Sequence, residues 1–334
     1  MKDILYHQIN PIVRVLESRL LKYDFFEKML AAESFLECKE LLKSTVYASY
    51  IERPDFDVRY EYFVREEGAK VYEKIYDLAP EKGVVDLYTM RYSYHNLKLL
   101  TKAHYTKQNL DEYWIHDGKY SIEAVKSAIA NHISAFIDGL MMESIKEVSE
   151  YLEKYTELRA IDVIYDRYYL KDQRATAEKL GYDEITKEVI SFIDLTNIST
   201  VMRGIAQCQT ENFMSTVLSS SGSIPKKELL AFAAKDMGQF TVYLLNGPYK
   251  EIISPLVDEK TQVICWPAFI DREKDDYLSK LFEPAKIQAF GPLPLLSLLN
   301  AQEIESKNLQ LILSGKKAHF STEQIRERMR KVYV

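Results

Sequence analysis

Met90-RYSYHNLKLLTK-Ala103, Phe192-IDLTNISTVMRGI-Ala206 and Glu303-IESKNLQLILSG-Lys316 are three versions of one pattern. Each sets an asparagine (Asn96, Asn197, Asn308) directly before an apolar residue (Leu97, Ile198, Leu309). Three residues further on comes Leu100, Val201 or Ile312, so both apolar positions share one helix face. Seven after the asparagine stand Ala103, Gly204 and Gly315, and the two glycines suit helix C-termini. The asparagines are 101 and 111 residues apart, which predicts three helical units of about one hundred residues each.

A second shared element follows each asparagine segment: Gly118-Lys-Tyr120-Ser121-Ile-Glu123, Gly222-Ser-Ile224-Pro225-Lys-Lys-Glu228 and His319-Phe320-Ser321-Thr-Glu323-Gln324. Each reads as the start of a helix. Ser121 and Ser321 can cap free backbone N–H groups, Pro225 stands at a tolerated early position, and Ser321 with Gln324 has capping-box spacing. A third element links Leu42-Lys-Ser-Thr-Val-Tyr47 (with Ile51) to Leu244-Leu-Asn-Gly-Pro-Tyr249 (with Ile253) and has no clear middle copy. The expected units are residues 1–116, 117–219 and 220–334.

The rest of the chain agrees with a helical fold. Ile161, Ile164, Tyr165 and Tyr168 fall at i, i+3, i+4 and i+7; Ile122, Val125 and Ile129 repeat part of that spacing. Ile12, Leu16 and Leu20 recur every four residues behind Pro11, well placed for a first helical turn. Only 11 glycines and 10 prolines occur in 334 residues, with no proline between Pro80 and Pro225, too few turn residues for many short strands. A short strand candidate is Thr261–Trp266, ended by Pro267, which reads equally well as a buried loop. The fold expected is all-α.

Composition excludes several functions. A net charge of −6 supplies no basic field, which argues against sequence-independent nucleic-acid binding. No run approaches 18 consecutive apolar residues, and the first residues lack a basic head with an apolar stretch behind it, so neither a membrane span nor a secretory signal is expected. Cys38, Cys208 and Cys265 lie far apart and read as buried thiols in a reducing compartment. The six histidines show no zinc spacing, and no GxGxxG, GxSxG or P-loop occurs, so no cofactor or metal is expected. One enzymatic pattern offers an alternative. Asp271, Asp275 and Asp276, or Asp162 and Asp166, place carboxylates on one helix face, as a Mg²⁺-dependent diphosphate enzyme requires. Arg272, Lys274 and Arg167 interleave with these acids as on an ordinary solvated face. A generic helical scaffold is the other alternative, but the short period of about 34 residues that such repeats use is absent.

Several segments resemble the C subunit of prokaryotic V-type/A-type rotary ATPases, related to the d subunit of the eukaryotic vacuolar enzyme. They are Ile9–Leu30, Lys39–Ile51, Met90–Ala103 and above all Phe290–Lys316, which combines Phe290-Gly-Pro-Leu-Pro294, Glu303-Ile-Glu305, Asn308 and Ser314-Gly-Lys316. Arg14 and Arg19 keep the family's Arg-bearing first helix, whereas His7 and Gln8 depart from its usual opening. The resemblance implies three similar helical units around a pseudo-threefold axis, shaped like a funnel. It implies a non-catalytic rotor part on the cytoplasmic face of the membrane, binding no nucleotide. Its expected partners are the D and F subunits of the shaft and the proteolipid ring, through which alone it meets the membrane. The partner-contact candidates are Lys102 and Arg203, each six residues after its asparagine, together with Asn96, Asn197 and Asn308. For the asparagines, helix capping or interhelical hydrogen bonding is the competing role.

Overall fold

A computed structural model of the chain describes residues 2–116, 118–137, 139–155, 157–233, 235–264 and 269–333. It is all-α: among these residues there is no β-strand, and Val257 and Ile264 form one isolated antiparallel bridge. That bridge occupies part of the expected strand region; Cys265, Trp266 and Pro267 lie outside the described residues. The helices run α1 (Ile9–Glu17), α2 (Tyr23–Ala31), α3 (Phe35–Leu42), α4 (Ala48–Ile51), α5 (Phe56–Leu78), α6 (Lys82–Thr106), α7 (Ile122–Asn131), α8 (Gly139–Lys154) and α9 (Arg159–Leu180). Then come α10 (Asp183–Ala206), α11 (Glu211–Val217), α12 (Lys226–Leu230), α13 (Met237–Leu245), α14 (Lys250–Ile253), α15 (Ile270–Leu281), α16 (Leu293–Lys317) and α17 (Thr322–Arg326).

The chain divides into two compact units, Met1–Val85 with Asp271–Val334, and Asp86–Ile270. In the first, α16 is the core helix, and Leu309, Ile312 and Leu313 pack among Phe26, Met29, Tyr47, Phe56 and Phe63. Leu293 to Gln302 of α16 are all buried, so the helix start is packed, while Phe290 ahead of it is half exposed. Gly291 makes its approach possible: φ is +84°, a conformation that favours glycine, and its N–H donates to the Asp3 carbonyl at 2.9 Å. In α1 the buried stripe is Ile9, Val13 and Leu16, continued by Leu20, while Ile12 is only half-buried.

In the second unit Leu97, Leu100, Val125, Ile129, Ile161, Ile164 and Tyr165 form one core, so the periodicities of α6, α7 and α9 meet one another. α10 is long and apolar enough by composition to cross a bilayer, but 61% of that window is buried within the protein, as in a core helix. The thiols differ from expectation. Cys38 is buried and its thiol is pushed up to about 11 by that burial, whereas Cys208 is exposed because it sits in a helix-ending turn. Cys265 lies outside the described residues.

Candidate functional site

The three asparagine segments become the C-terminal halves of α6, α10 and α16, and each asparagine makes the same pair of hydrogen bonds. Asn96 donates to the Ile115 carbonyl at 2.6 Å and accepts from its N–H at 3.0 Å. Asn197 does the same with Ser219 (2.9 and 3.0 Å), and Asn308 with Arg330 (2.9 and 2.9 Å). An amide side chain offers one donor and one acceptor side by side, so it pairs with a residue's N–H and C=O as a neighbouring strand would. Each clasp holds the segment that returns after its helix, and the asparagines are exposed by 1% or less. As side chains of this chain they are structural. Their amides are bonded within the chain, and each side chain is buried in it.

The repetition extends along the chain. Eleven residues after each asparagine stand Lys107, Cys208 and His319, all left-handed, with φ of 60°, 51° and 57°. Thirteen after it stand Asn109, Thr210 and Ser321, whose side-chain oxygens accept from the N–H of Asp111, Phe213 and Gln324. Ser321 also completes a capping box with Gln324. Ser321 is therefore the counterpart of Thr210, one step earlier in the motif than Ser121 and Pro225, which begin α7 and α12 after the clasped segment.

The true counterpart in the third motif comes from the N-terminus. Three residues before each asparagine is Ser93, Asp194 or Glu305. Ser93 accepts from the Lys119 N–H at 2.9 Å, and Asp194 from the N–H groups of Ser223 (2.8 Å) and Ile224 (3.1 Å). Glu305 accepts from the Leu21 N–H at 2.5 Å, and Lys22 begins α2 as Ser121 begins α7. The third shared element closes the same sites: Tyr249 donates to Asp194 at 2.8 Å and Tyr47 to Glu305 at 2.8 Å. Residues 20–51 thus serve Glu305 as residues 222–253 serve Asp194. Burial pushes the Glu305 carboxyl up to about 7 against the two donors that favour its charged form.

The charged candidates are placed differently. Lys102 pairs with Asp162 at 2.7 and 2.8 Å, both side chains about two-fifths exposed, while Arg203 is exposed on α10. Lys98 pairs with Asp166. Asp275 holds Lys307 and Arg330, each at 3.0 Å, and Asp276 accepts the Lys331 N–H at 2.7 Å, so these acids anchor the C-terminal segment. Asp271 faces Lys274 at 3.5 Å. The carboxylates of the Mg²⁺ alternative are committed to cations and backbone, and no cluster of three His, Cys, Asp or Glu is arranged for a metal among the described residues.

The profile of the ATP synthase (C/AC39) subunit family matches residues 9–328. The chain belongs to that family. It is 48% identical to the C subunit of the V-type sodium ATPase of Enterococcus hirae over 98% of this chain and 99% of that protein. It is 26% identical to the C subunit of the A-type ATP synthase of Methanocaldococcus jannaschii, over 96% and 85% of the two chains. The corresponding protein of Methanothermobacter thermautotrophicus is 23% identical over 92% and 83%. Family membership makes the chain a peripheral, membrane-associated structural component of a V/A-type ATPase complex, not itself catalytic. Sequence reasoning finds the asparagines and the paired Tyr47 and Tyr249 elements, but gives Asp194 and Glu305 no part in them. Their signal is a buried polar residue three before each asparagine.

Proposed function

We propose that the chain is the central-stalk socket of a rotary ATPase, coupling the shaft formed by the D and F subunits to the proteolipid ring on the cytoplasmic face of the membrane. Torque then passes from ATP hydrolysis to ion movement, or in the reverse direction. The observation that carries the reading is the thrice-repeated helix end, with its asparagine clasp, left-handed turn and capped restart, in a chain of this family. It supports three equivalent units around an axis, drawn in sequence as 1–116, 117–219 and 220–334, with residues 20–51 completing the last. A part that transmits torque needs contacts spread around a wall, because one exposed ion pair is worth only about 0–1 kcal/mol. Lys102 and Arg203 are the proposed charged contacts of that wall, setting orientation and encounter rate.

The test is isothermal titration of the full chain with the purified D–F pair over a range of salt. Saturable one-to-one binding that weakens with salt is expected. No binding to a folded D–F pair would overturn the socket reading.

A further inference from the structure

The three helix ends differ at one place. A Cβ on Gly204 would come within 2.5 Å of the Met214 sulfur, and one on Gly315 within 2.7 Å of Ile325 Cγ1, so an apolar side chain plugs the space over each glycine. The plugs are delivered by the short helices α11 and α17. In the first motif the equivalent residue is Ala103, and the short helix is reduced to a single 3-10 turn, Asp111–Tyr113. A cavity of about 530 Å³ lies against Ala103 there, within the range of small-molecule sites.

Its chemistry is two-sided. Leu100 and Ile129, both buried, give it an apolar floor, and the exposed Lys107 and Lys126 stand at its mouth. Lys126 is paired with Asp111 at 2.7 Å. Lys107, held in the left-handed turn, has no ion-pair or hydrogen-bond partner among the described residues, so the mouth carries an unbalanced positive charge.

We propose that this cavity binds a small amphiphilic anion, its apolar body over Ala103 in the place of the missing plug and its single anionic head on Lys107, with Lys126 beside it. The inference does not depend on the socket reading.

The test is isothermal titration of the full-length chain with octanoate as the probe and octan-1-ol as the uncharged control. Octanoate is expected to bind saturably at one site and octanol about tenfold more weakly, since the head makes a charge-assisted contact. Lys107→Ala should weaken octanoate about tenfold. Ala103→Met, which supplies the first motif with the plug that Met214 gives the second, should abolish binding. If Ala103→Met does not fold, Lys107→Ala decides, because its side chain is exposed. Absence of saturable octanoate binding, octanol binding as tight as octanoate, or unchanged binding in Lys107→Ala would each overturn the proposal.

Discussion

Asp194 and Glu305 occupy one position in two copies of the same motif, each fully buried or nearly so, yet they are solved differently. Asp194 is short, and the turn folds over it: Ser223 N–H, Ile224 N–H, the Ser223 hydroxyl and the Tyr249 hydroxyl all donate to it. Gly222 is required for that fold, since a Cβ there would overlap the carboxylate. Glu305 reaches farther and meets two donors, Leu21 N–H and the Tyr47 hydroxyl, with Glu67 adding a repulsive charge. With so few donors, burial pushes the Glu305 carboxyl towards its proton. What the pair teaches is that a repeat keeps the place where a polar group is buried, while the number of donors that group meets is set by what the local backbone can bring.

The largest effect expected from this contrast is at Asp194. Asp194→Ala removes the acceptor of the buried Ile224 N–H and Tyr249 hydroxyl and of the part-buried Ser223 N–H, and each buried group left unsatisfied costs about 1–3 kcal/mol. A loss of about 4 kcal/mol is expected in denaturant unfolding, with amide exchange accelerating around residues 222–224 and 249. A loss below about 1 kcal/mol would mean that the donors find water instead, and the contrast with Glu305 would collapse.

Next comes the pH dependence of the first unit. The Glu305 carboxyl lies at about 7 in the folded chain against 4.5 for an ordinary glutamate, so folding favours the protonated form. Its contribution is fully present below about pH 4.5 and is lost as pH rises through about 7. That shift corresponds to about 3 kcal/mol of pH-dependent stability. Glu305→Gln imitates the protonated acid. Exchange protection around Leu21 and Tyr47 should then become flat between about pH 5 and 8, whereas the native chain loses protection across that range. An equal slope in both proteins would remove Glu305 as its source.

The asparagine clasps rank third. Asn96→Ala, Asn197→Ala and Asn308→Ala should each cost about 2 kcal/mol, because each removes two hydrogen bonds and leaves a returning N–H and C=O to find new partners. Asn308→Ala should loosen the segment around Arg330, while Asn197→Ala should loosen the segment around Ser219. Three dissimilar costs, read from unfolding of the full-length variants, would say that the clasps are alike in geometry but not in energy.

These sites show how far the amino-acid order alone reaches. The helices of the core are legible because Leu97, Leu100 and their counterparts keep one periodicity, and the asparagines stand out as polar residues inside apolar runs. The register of the motif is not legible. Each copy contains two helix starts with similar chemistry, Thr210 and Pro225 in the second, so Ser321 is easily matched to the wrong one. The partner of Glu305 is out of reach for another reason: Tyr47 is 258 residues away, and no local pattern records a contact closed through the N-terminal segment.

The smallest expected effect separates stability from binding. Lys102 and Asp162 form a close pair, but both side chains are about two-fifths exposed, so water and salt screen most of the attraction. Lys102→Ala should therefore cost no more than about 0.5 kcal/mol of folding stability. If Lys102 faces a partner, the same change should weaken salt-sensitive binding of the D–F pair several-fold while thermal unfolding stays where it was, and Asp162→Asn, which releases the lysine from its internal pair, should strengthen that binding. Equal D–F binding by all three proteins would return Lys102 to the ordinary solvated face of α6, leaving the buried residue three before each asparagine (Ser93, Asp194 or Glu305) as what distinguishes one copy of the motif from another.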